Sequence, residues 1–207
     1  MSLIQGLDYA AVFIFALTGA LAASRAQLDI VGFLFLACLT AVGGGTLRDV
    51  ILNRDTVFWV GDPGMILSAC LAAILVFFTA HLLESRLRVL EWCDALALAV
   101  AVPAGVGVAM AMEQSAPIIV IMGIATGTFG GLMRDVVCNE VPLVLKKGEL
   151  YATAAFTGAM AAVGLAALGA GPLATLLACG ITTFALRAGS LQFGWCLPVY
   201  KSRPKQR

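Results

Sequence analysis

Charged residues are scarce in this chain. Asp, Glu, Lys and Arg make up 12% of its 207 residues, and histidine occurs once, as His81. A soluble domain usually carries about twice that share of charge, because its surface faces water. The scarcity therefore excludes a soluble globule. With 61% hydrophobic residues and a mean hydropathy of +0.98, the composition indicates a protein of the lipid bilayer.

Residue groupings that bind metals or catalyse reactions are also missing. The sequence contains no nucleophile elbow, no phosphate-binding Walker loop and no zinc motif. We therefore predict a protein that is not an enzyme and has neither a metal site nor a cofactor. The cysteines stand singly, without a CxxC pair, and are interpreted as small buried hydrophobes. They are Cys38, Cys70, Cys93, Cys138, Cys179 and Cys196.

Long apolar runs are what the chain has instead. A membrane-spanning helix needs about 20 predominantly apolar residues. Seven runs are candidates: 9–24, 30–47, 64–83, 95–112, 117–133, 150–168 and about 173–191. The last run contains Arg187, whose long side chain is expected to extend to the membrane interface. We therefore predict an all-α membrane protein in which residues 1–207 form a single transmembrane domain of seven helices.

The basic residues predict the orientation in the membrane. Apart from Arg48 and Arg134, eleven of the 13 Lys and Arg fall in loops, and seven spans place ten of these on the side of the C-terminus. Cytoplasmic segments carry an excess of positive charge. We therefore expect the N-terminus outside and the C-terminus in the cytoplasm. The basic cytoplasmic tail, 199–207, is expected to lie against membrane lipids rather than nucleic acid.

One segment near the end of the second run recurs near the end of the fifth. GGGTLRD stands at 43–49 and FGGLMRD at 129–135, an offset of 86 residues. This self-similarity predicts two repeats of three helices, about 5–83 and 91–168, and a seventh helix at about 173–191. An odd number of spans per repeat would invert the second repeat relative to the first. The same offset also aligns Asp8 with Asp94, Gly19 with Gly105, Thr40 with Thr126, and Asn53 with Asn139.

The repeated glycines predict broken helices. Clustered glycines weaken a helix, and unwound backbone inside a membrane can line a water-filled path and coordinate a cation. Each threonine hydroxyl would either face a permeant ion or bond back to a carbonyl one turn earlier. Close helix packing through small residues is the alternative to a break. The predicted pathway residues are Thr40, Gly43, Gly44, Gly45, Thr126, Gly127, Gly130 and Gly131.

The repeated Arg-Asp pairs predict two charge gates. Ionisable side chains within membranes usually face partners or aqueous cavities. Inversion would place Arg48 and Asp49 towards the external mouth and Arg134 and Asp135 towards the cytoplasmic one. Anchoring of the arginines at the two interfaces is the alternative. The repeated aspartates Asp8 and Asp94 are expected to begin equivalent helices, where a carboxylate favours the positive end of the helix dipole.

These motifs resemble a known family. AVGGGTLRDV and GTFGGLMRDVVCNEVP, in two repeats of three spans plus a seventh, are similar to prokaryotic members of the trimeric intracellular cation (TRIC) channel family, whose domain is also catalogued as a glycine transporter. The resemblance covers about residues 5 to 195. It implies a homotrimer in a prokaryotic inner membrane. Each subunit would have its own pore beside the glycines and Arg-Asp pairs, conducting potassium, sodium or other monovalent cations.

Two functions stay open from the residues alone. A channel needs a continuous wet path with weak, serial ion sites. A secondary transporter for a small amino acid such as glycine would use the same inverted repeats with an occluded site and alternating access. Arginines at the mouths suit an amino-acid carboxylate, whereas the family resemblance favours the channel.

Overall fold

The chain is a bundle of α-helices. The computed structural model describes residues 2–83, 85–146 and 148–198, and within those ranges it contains no β-strand. The predicted basic tail, 199–207, lies outside the described residues. The helices are α1 (Leu3–Arg25), α2 (Ile30–Ile51), α3 (Phe58–Gly61), α4 (Gly64–Thr79), α5 (Arg86–Ala111), α6 (Ala116–Val137), α7 (Ala152–Ala167) and α8 (Pro172–Phe193).

Most of these helices can cross a membrane. In the described part of the chain, six are long and apolar enough: α1, α2, α4 with its 3-10 extension to Leu82, α5, α6 and α8. The prediction of an all-α membrane protein is confirmed. The apolar α7 has 16 residues, a length of about 24 Å, against a hydrocarbon thickness of about 30 Å. The count of seven spans therefore stays a prediction.

Polar caps set where the first helix of each predicted repeat begins. The Ser2 hydroxyl accepts a hydrogen bond from the Gln5 N–H at the start of α1, and the Ser85 hydroxyl accepts one from the Arg88 N–H at the start of α5. The expectation that Asp8 and Asp94 begin these helices is therefore wrong. Both aspartates lie well inside, where buried arginines neutralise them.

Alanine is the most frequent residue in the core of the bundle. The spans α1 and α5 are the most deeply buried, and both contain several buried alanines, among them Ala16, Ala20, Ala97 and Ala101. Small residues let helix backbones approach closely, which is how helices gain packing energy in a membrane. By contrast α4 is the least buried of the spans and has exposed large apolar residues such as Leu67.

The helices α2 and α6 are continuous through their glycines, so the prediction of broken helices is wrong. The two helices cross at these residues. A Cβ on Gly44 would overlap the carbonyl oxygen of Thr126, and a Cβ on Gly130 would overlap the carbonyl oxygen of Thr40. The glycines therefore serve close packing, the alternative to a break. The energy lost through their poor helix propensity is offset by contact between the two backbones.

The backbone adopts the same conformation just after corresponding helices of the two predicted repeats. Among the described residues, four other than glycine have positive φ angles of 50° to 55°, and each follows a helix end. They form two pairs 86 residues apart: Gln27 with Glu113, and Asn53 with Asn139. The left-handed conformation is uncommon for such residues. The offset seen in the sequence is therefore matched by backbone geometry.

Candidate functional site

A first cluster of charges surrounds Arg48, whose side chain is 0% exposed. Its Nε donates to Asp49 Oδ1 at 2.7 Å, and its Nη1 donates to Asp8 Oδ1, on α1, at 2.9 Å. The Asp49 carboxylate also accepts from Arg54 Nη1 at 3.1 Å and from the backbone N–H of Phe58 at 2.8 Å. These bonds tie α1, α2 and the segment leading into α3 to one another.

A second cluster repeats this arrangement around Arg134, also 0% exposed. Its Nε donates to Asp135 Oδ1 at 2.7 Å, and its Nη1 donates to Asp94 Oδ1, on α5, at 2.7 Å. The second oxygen of Asp135 accepts the backbone N–H of Leu143 at 2.8 Å. Interfacial anchoring of Arg48 and Arg134 is therefore excluded, because both guanidinium groups are buried and paired. Whether the clusters act as gates stays a prediction.

The second cluster has contacts that the first lacks. Arg134 Nη1 also donates to the hydroxyl of Thr18, on α1, at 2.9 Å. The phenol of Tyr151 donates to Asp94 Oδ2 at 2.6 Å. Met65 stands 86 residues before Tyr151 and has no group that could donate to Asp8 in the same way. The second cluster is therefore the more completely bonded one.

The seventh predicted span reaches this cluster through Arg187. Its side chain is 0% exposed, its Nη1 donates to Glu149 Oε2 at 2.7 Å, and its guanidinium carbon lies 5.0 Å from the centre of the Tyr151 ring. The expectation that Arg187 extends to the membrane interface is wrong, because an acidic and an aromatic partner hold it inside the bundle. Cation–π contact of this kind stabilises a desolvated guanidinium.

The two clusters differ in charge. Around Arg48, a second arginine, Arg54, contributes a bond, so two arginines face two aspartates. Around Arg134, one arginine faces two aspartates. The position 86 residues after Arg54 is Glu140, which pairs with Arg25 at 3.0 Å. Arg134 with its two aspartates therefore has one formal negative charge in excess, whereas the charges around Arg48 balance.

Four of the predicted pathway residues, Thr40, Gly44, Thr126 and Gly130, lie between the clusters, at the crossing of α2 and α6. The Thr40 and Thr126 hydroxyls bond back to the carbonyls of Leu36 and Met122, each at 2.6 Å, which was one of their two predicted roles. A cavity of about 10 Å³, enough for about one water molecule, adjoins the first cluster. Its lining includes Asp8, Gly44, Gly45, Phe58 and Thr126. The crossing itself is tightly packed.

The remaining glycines make room for specific side chains. A Cβ on Gly45 would lie 2.5 Å from the Phe58 ring, and one on Gly131 would lie 3.2 Å from the Tyr151 hydroxyl. A Cβ on Gly43 would approach the Met133 sulfur, and one on Gly127 would approach Val102. These glycines therefore pack against side chains on neighbouring segments. Their part in an ion pathway stays a prediction.

The apolar helices and the ion pairs buried among them define an integral membrane protein with buried charge clusters. A family model described as "Glycine transporter" matches residues 5–81 and again residues 91–167. The TRIC trimeric intracellular cation channel orthologue from Rhodobacter sphaeroides superposes with a TM-score of 0.90 and 42% identity, covering 94% of this chain and 100% of that one.

Two curated relatives extend the comparison. A UPF0126 membrane protein of Vibrio cholerae is 36% identical over 96% of this chain and 83% of its own length. The UPF0126 inner membrane protein YadS of Escherichia coli is 36% identical, with 96% of each chain covered. This chain belongs to the TRIC channel family, as its motifs predicted. The solved relative named above is a channel and not an enzyme.

Proposed function

We propose that this protein is a channel for monovalent cations, potassium in particular, with one pore in each subunit. The observation that carries the proposal is the 42% identity and 0.90 TM-score with a TRIC cation channel over nearly the whole chain. The pore would run through the bundle past both charge clusters and the crossing of α2 and α6. The excess negative charge around Arg134 supports cation rather than anion passage.

The described conformation is proposed to be a closed one. At the crossing, Gly44 faces Thr126 and Gly130 faces Thr40, so the helices run antiparallel and seal against each other. Arg48 and Arg134 each lie four residues beyond the crossing glycine of their helix, and so on opposite sides of the seal. Opening would require α2 and α6 to separate, and the clusters would act as gates by releasing or holding these helices.

The same antiparallel crossing supports inverted repeats. We propose seven spans, with α1, α2 and α4 as the first triplet, α5, α6 and α7 as the second, and α8 as the seventh helix. The N-terminus would lie outside and the C-terminus in the cytoplasm, as the basic residues suggest. We further propose a homotrimer in a prokaryotic inner membrane, supported by the trimeric solved relative and by the relative named an inner membrane protein.

A carrier for glycine is the second candidate, supported by the description of the family model. In the described residues, Nη2 of Arg48 and of Arg134 has no hydrogen-bond partner and could bind a carboxylate. However, Nε and Nη1 of each arginine already pair with aspartates. Bidentate binding of a carboxylate needs two free donor groups. The pairing of both arginines with aspartates therefore favours the channel.

Flux into liposomes separates the two candidates. Purified protein is reconstituted, and potassium efflux and labelled glycine uptake are measured on the same vesicles. We expect potassium efflux that depends on the protein and no saturable glycine uptake. Saturable glycine accumulation without potassium leak would establish the carrier instead.

A further inference from the structure

Two cysteines that the sequence shows singly are neighbours in the structure. Cys38 on α2 and Cys70 on α4 place their sulfur atoms 3.8 Å apart, and both side chains are half-buried. Both were interpreted as small buried hydrophobes, whereas the structure shows them only half-buried and in contact with each other. Because the two cysteines are 32 residues apart, the sequence alone does not show that they are in contact.

The two cysteines lie well inside the lengths of α2 and α4, and close to the outer surface of the helix bundle. Cys38 is eight residues beyond the start of α2, and Cys70 is six residues beyond the start of α4, which are rises of about 12 Å and about 9 Å. One turn earlier on the same two helices, Phe35 and Leu67 are 60% and 70% exposed. Because residues three apart share a helix face, the sulfurs lie beside an exposed apolar surface of the bundle.

A groove gives lipid-soluble molecules access to one of these sulfurs. It has a volume of about 430 Å³. Its lining is apolar apart from the thiol and the Trp59 indole, and consists of Val31, Leu34, Phe35, Cys38, Leu39, Val42, Trp59 and Ile66. A reactant that reaches the pair by this route is therefore one that dissolves in hydrocarbon.

We propose that Cys38 and Cys70 are a redox-active dithiol, a modification site that lipid hydroperoxides oxidise to a disulfide between α2 and α4. The first thiol sulfur attacks the terminal oxygen of the hydroperoxide. The S–O bond forms as the O–O bond breaks, and the thiol proton goes to the departing lipid alcohol. The product on the protein is a sulfenic acid.

The second thiol completes the reaction. Its sulfur attacks the sulfenic sulfur, the S–S bond forms, and the S–O bond breaks as water leaves with the second thiol proton. The sum is two thiols and one hydroperoxide giving one disulfide, one alcohol and one water. The sulfurs must approach from 3.8 Å to about 2.05 Å, the length of a disulfide bond. The site does not depend on ion conduction.

Oxidation in liposomes tests the proposal. The reconstituted protein is treated with cumene hydroperoxide, an apolar organic hydroperoxide, and free thiols are then blocked. The protein is run on a non-reducing gel, and the monomer band is digested for mass spectrometry. We expect a peptide pair joined through Cys38 and Cys70, with two fewer blocked thiols per chain, and both changes reversed by a reductant.

Cysteine-to-serine variants test whether Cys38 and Cys70 are the thiols that form the disulfide. C38S and C70S should each abolish the joined peptides, whereas C196S should retain them, because Cys196 is exposed and lies elsewhere in the chain. Thermal unfolding of each reduced variant checks that it folds. Oxidation of Cys196 while Cys38 and Cys70 both remain free to be blocked would overturn the proposal. So would a disulfide found only between copies.

Discussion

Arg134 bridges two buried aspartates, Asp94 and Asp135. Removing one partner of a buried ion pair typically costs about 3–5 kcal/mol, because the remaining charge is left unpaired in a medium of low polarity. We expect R134A to lower the free energy of unfolding by about that amount, and to change conduction as well. Denaturant unfolding in detergent and potassium flux from liposomes measure the two effects.

A surface arginine provides the control for this prediction. Arg25 pairs with Glu140, whose side chain is 42% exposed, and exposed pairs contribute about 1 kcal/mol or less. R25A should therefore leave both stability and flux close to those of the unchanged protein. Equal stability of R134A and R25A would mean that the buried cluster does not hold the fold together.

The Tyr151 hydroxyl donates a hydrogen bond to Oδ2 of Asp94, the carboxylate oxygen that does not pair with Arg134. This bond stabilises the observed arrangement of the second cluster. In Y151F this buried oxygen loses its donor, at a cost of about 1–3 kcal/mol. We expect the closed conformation to be destabilised. Single-channel recording should then show a higher open probability with an unchanged unitary conductance.

The same substitution elsewhere separates a gating role from a general loss of stability. Tyr9 donates to Asp62 Oδ2 at 2.9 Å, away from Arg134 and Asp94. Y9F removes a tyrosine–aspartate hydrogen bond from a less buried place and should leave the open probability as it was. An identical response of Y9F and Y151F would argue against a specific role for the phenol of Tyr151.

Sequence reasoning found the arginines and aspartates of both clusters but not their other partners. Repetition identified Arg48, Asp49, Arg134 and Asp135. The sequence did not show that Thr18, Tyr151 and Arg187 belong to the second cluster, because none of them recurs at the 86-residue offset. Their contacts join residues far apart in sequence, such as Thr18 and Arg134. Only the packing of helices reveals such pairs.

At the scale of helices, the crossing of α2 and α6 depends on Gly44 and Gly130. A methyl group at either position would overlap a carbonyl oxygen of the facing helix. Overpacking of this kind costs about 1–3 kcal/mol, and here it would push the two helices apart. We expect G44A and G130A to lower thermal stability and to raise the open probability, because the added methyl group destabilises the closed conformation.

Gly164 offers a matched control within a helix. It lies in α7, and a Cβ there would meet no atom within 4 Å. Alanine favours a helix over glycine by up to about 1 kcal/mol, so G164A should be neutral or stabilising, with unchanged channel opening. If G44A behaved like G164A, the crossing would not be the seal that we propose.

Most helices could be predicted from apolar runs, but two features could not. The predicted first span began after Asp8, whereas α1 begins at Leu3, and Arg48 on another helix neutralises the aspartate that this longer helix includes. Clustered glycines are compatible with a broken helix and with a close crossing. Only the position of the facing helix α6 decides between these outcomes.

At the scale of the whole molecule, large apolar side chains cover the outer faces of several spans, including Leu67, Phe78 and Ile181. Lipid or further copies of the chain must cover these surfaces. We expect the purified protein to be a trimer of 21.5 kDa chains. Native mass spectrometry from detergent measures this directly, and a monomer at all concentrations would contradict the proposed assembly.

Unitary current through the purified protein tests cation conduction most directly. The protein is inserted into a planar bilayer with a tenfold gradient of potassium chloride, and the voltage at which the current reverses is measured. We expect discrete steps that reverse near the potassium equilibrium potential, about 59 mV from zero for a tenfold gradient of a monovalent ion. Reversal at zero or towards the chloride potential, or the absence of steps from protein shown to be folded and inserted, would contradict a cation channel.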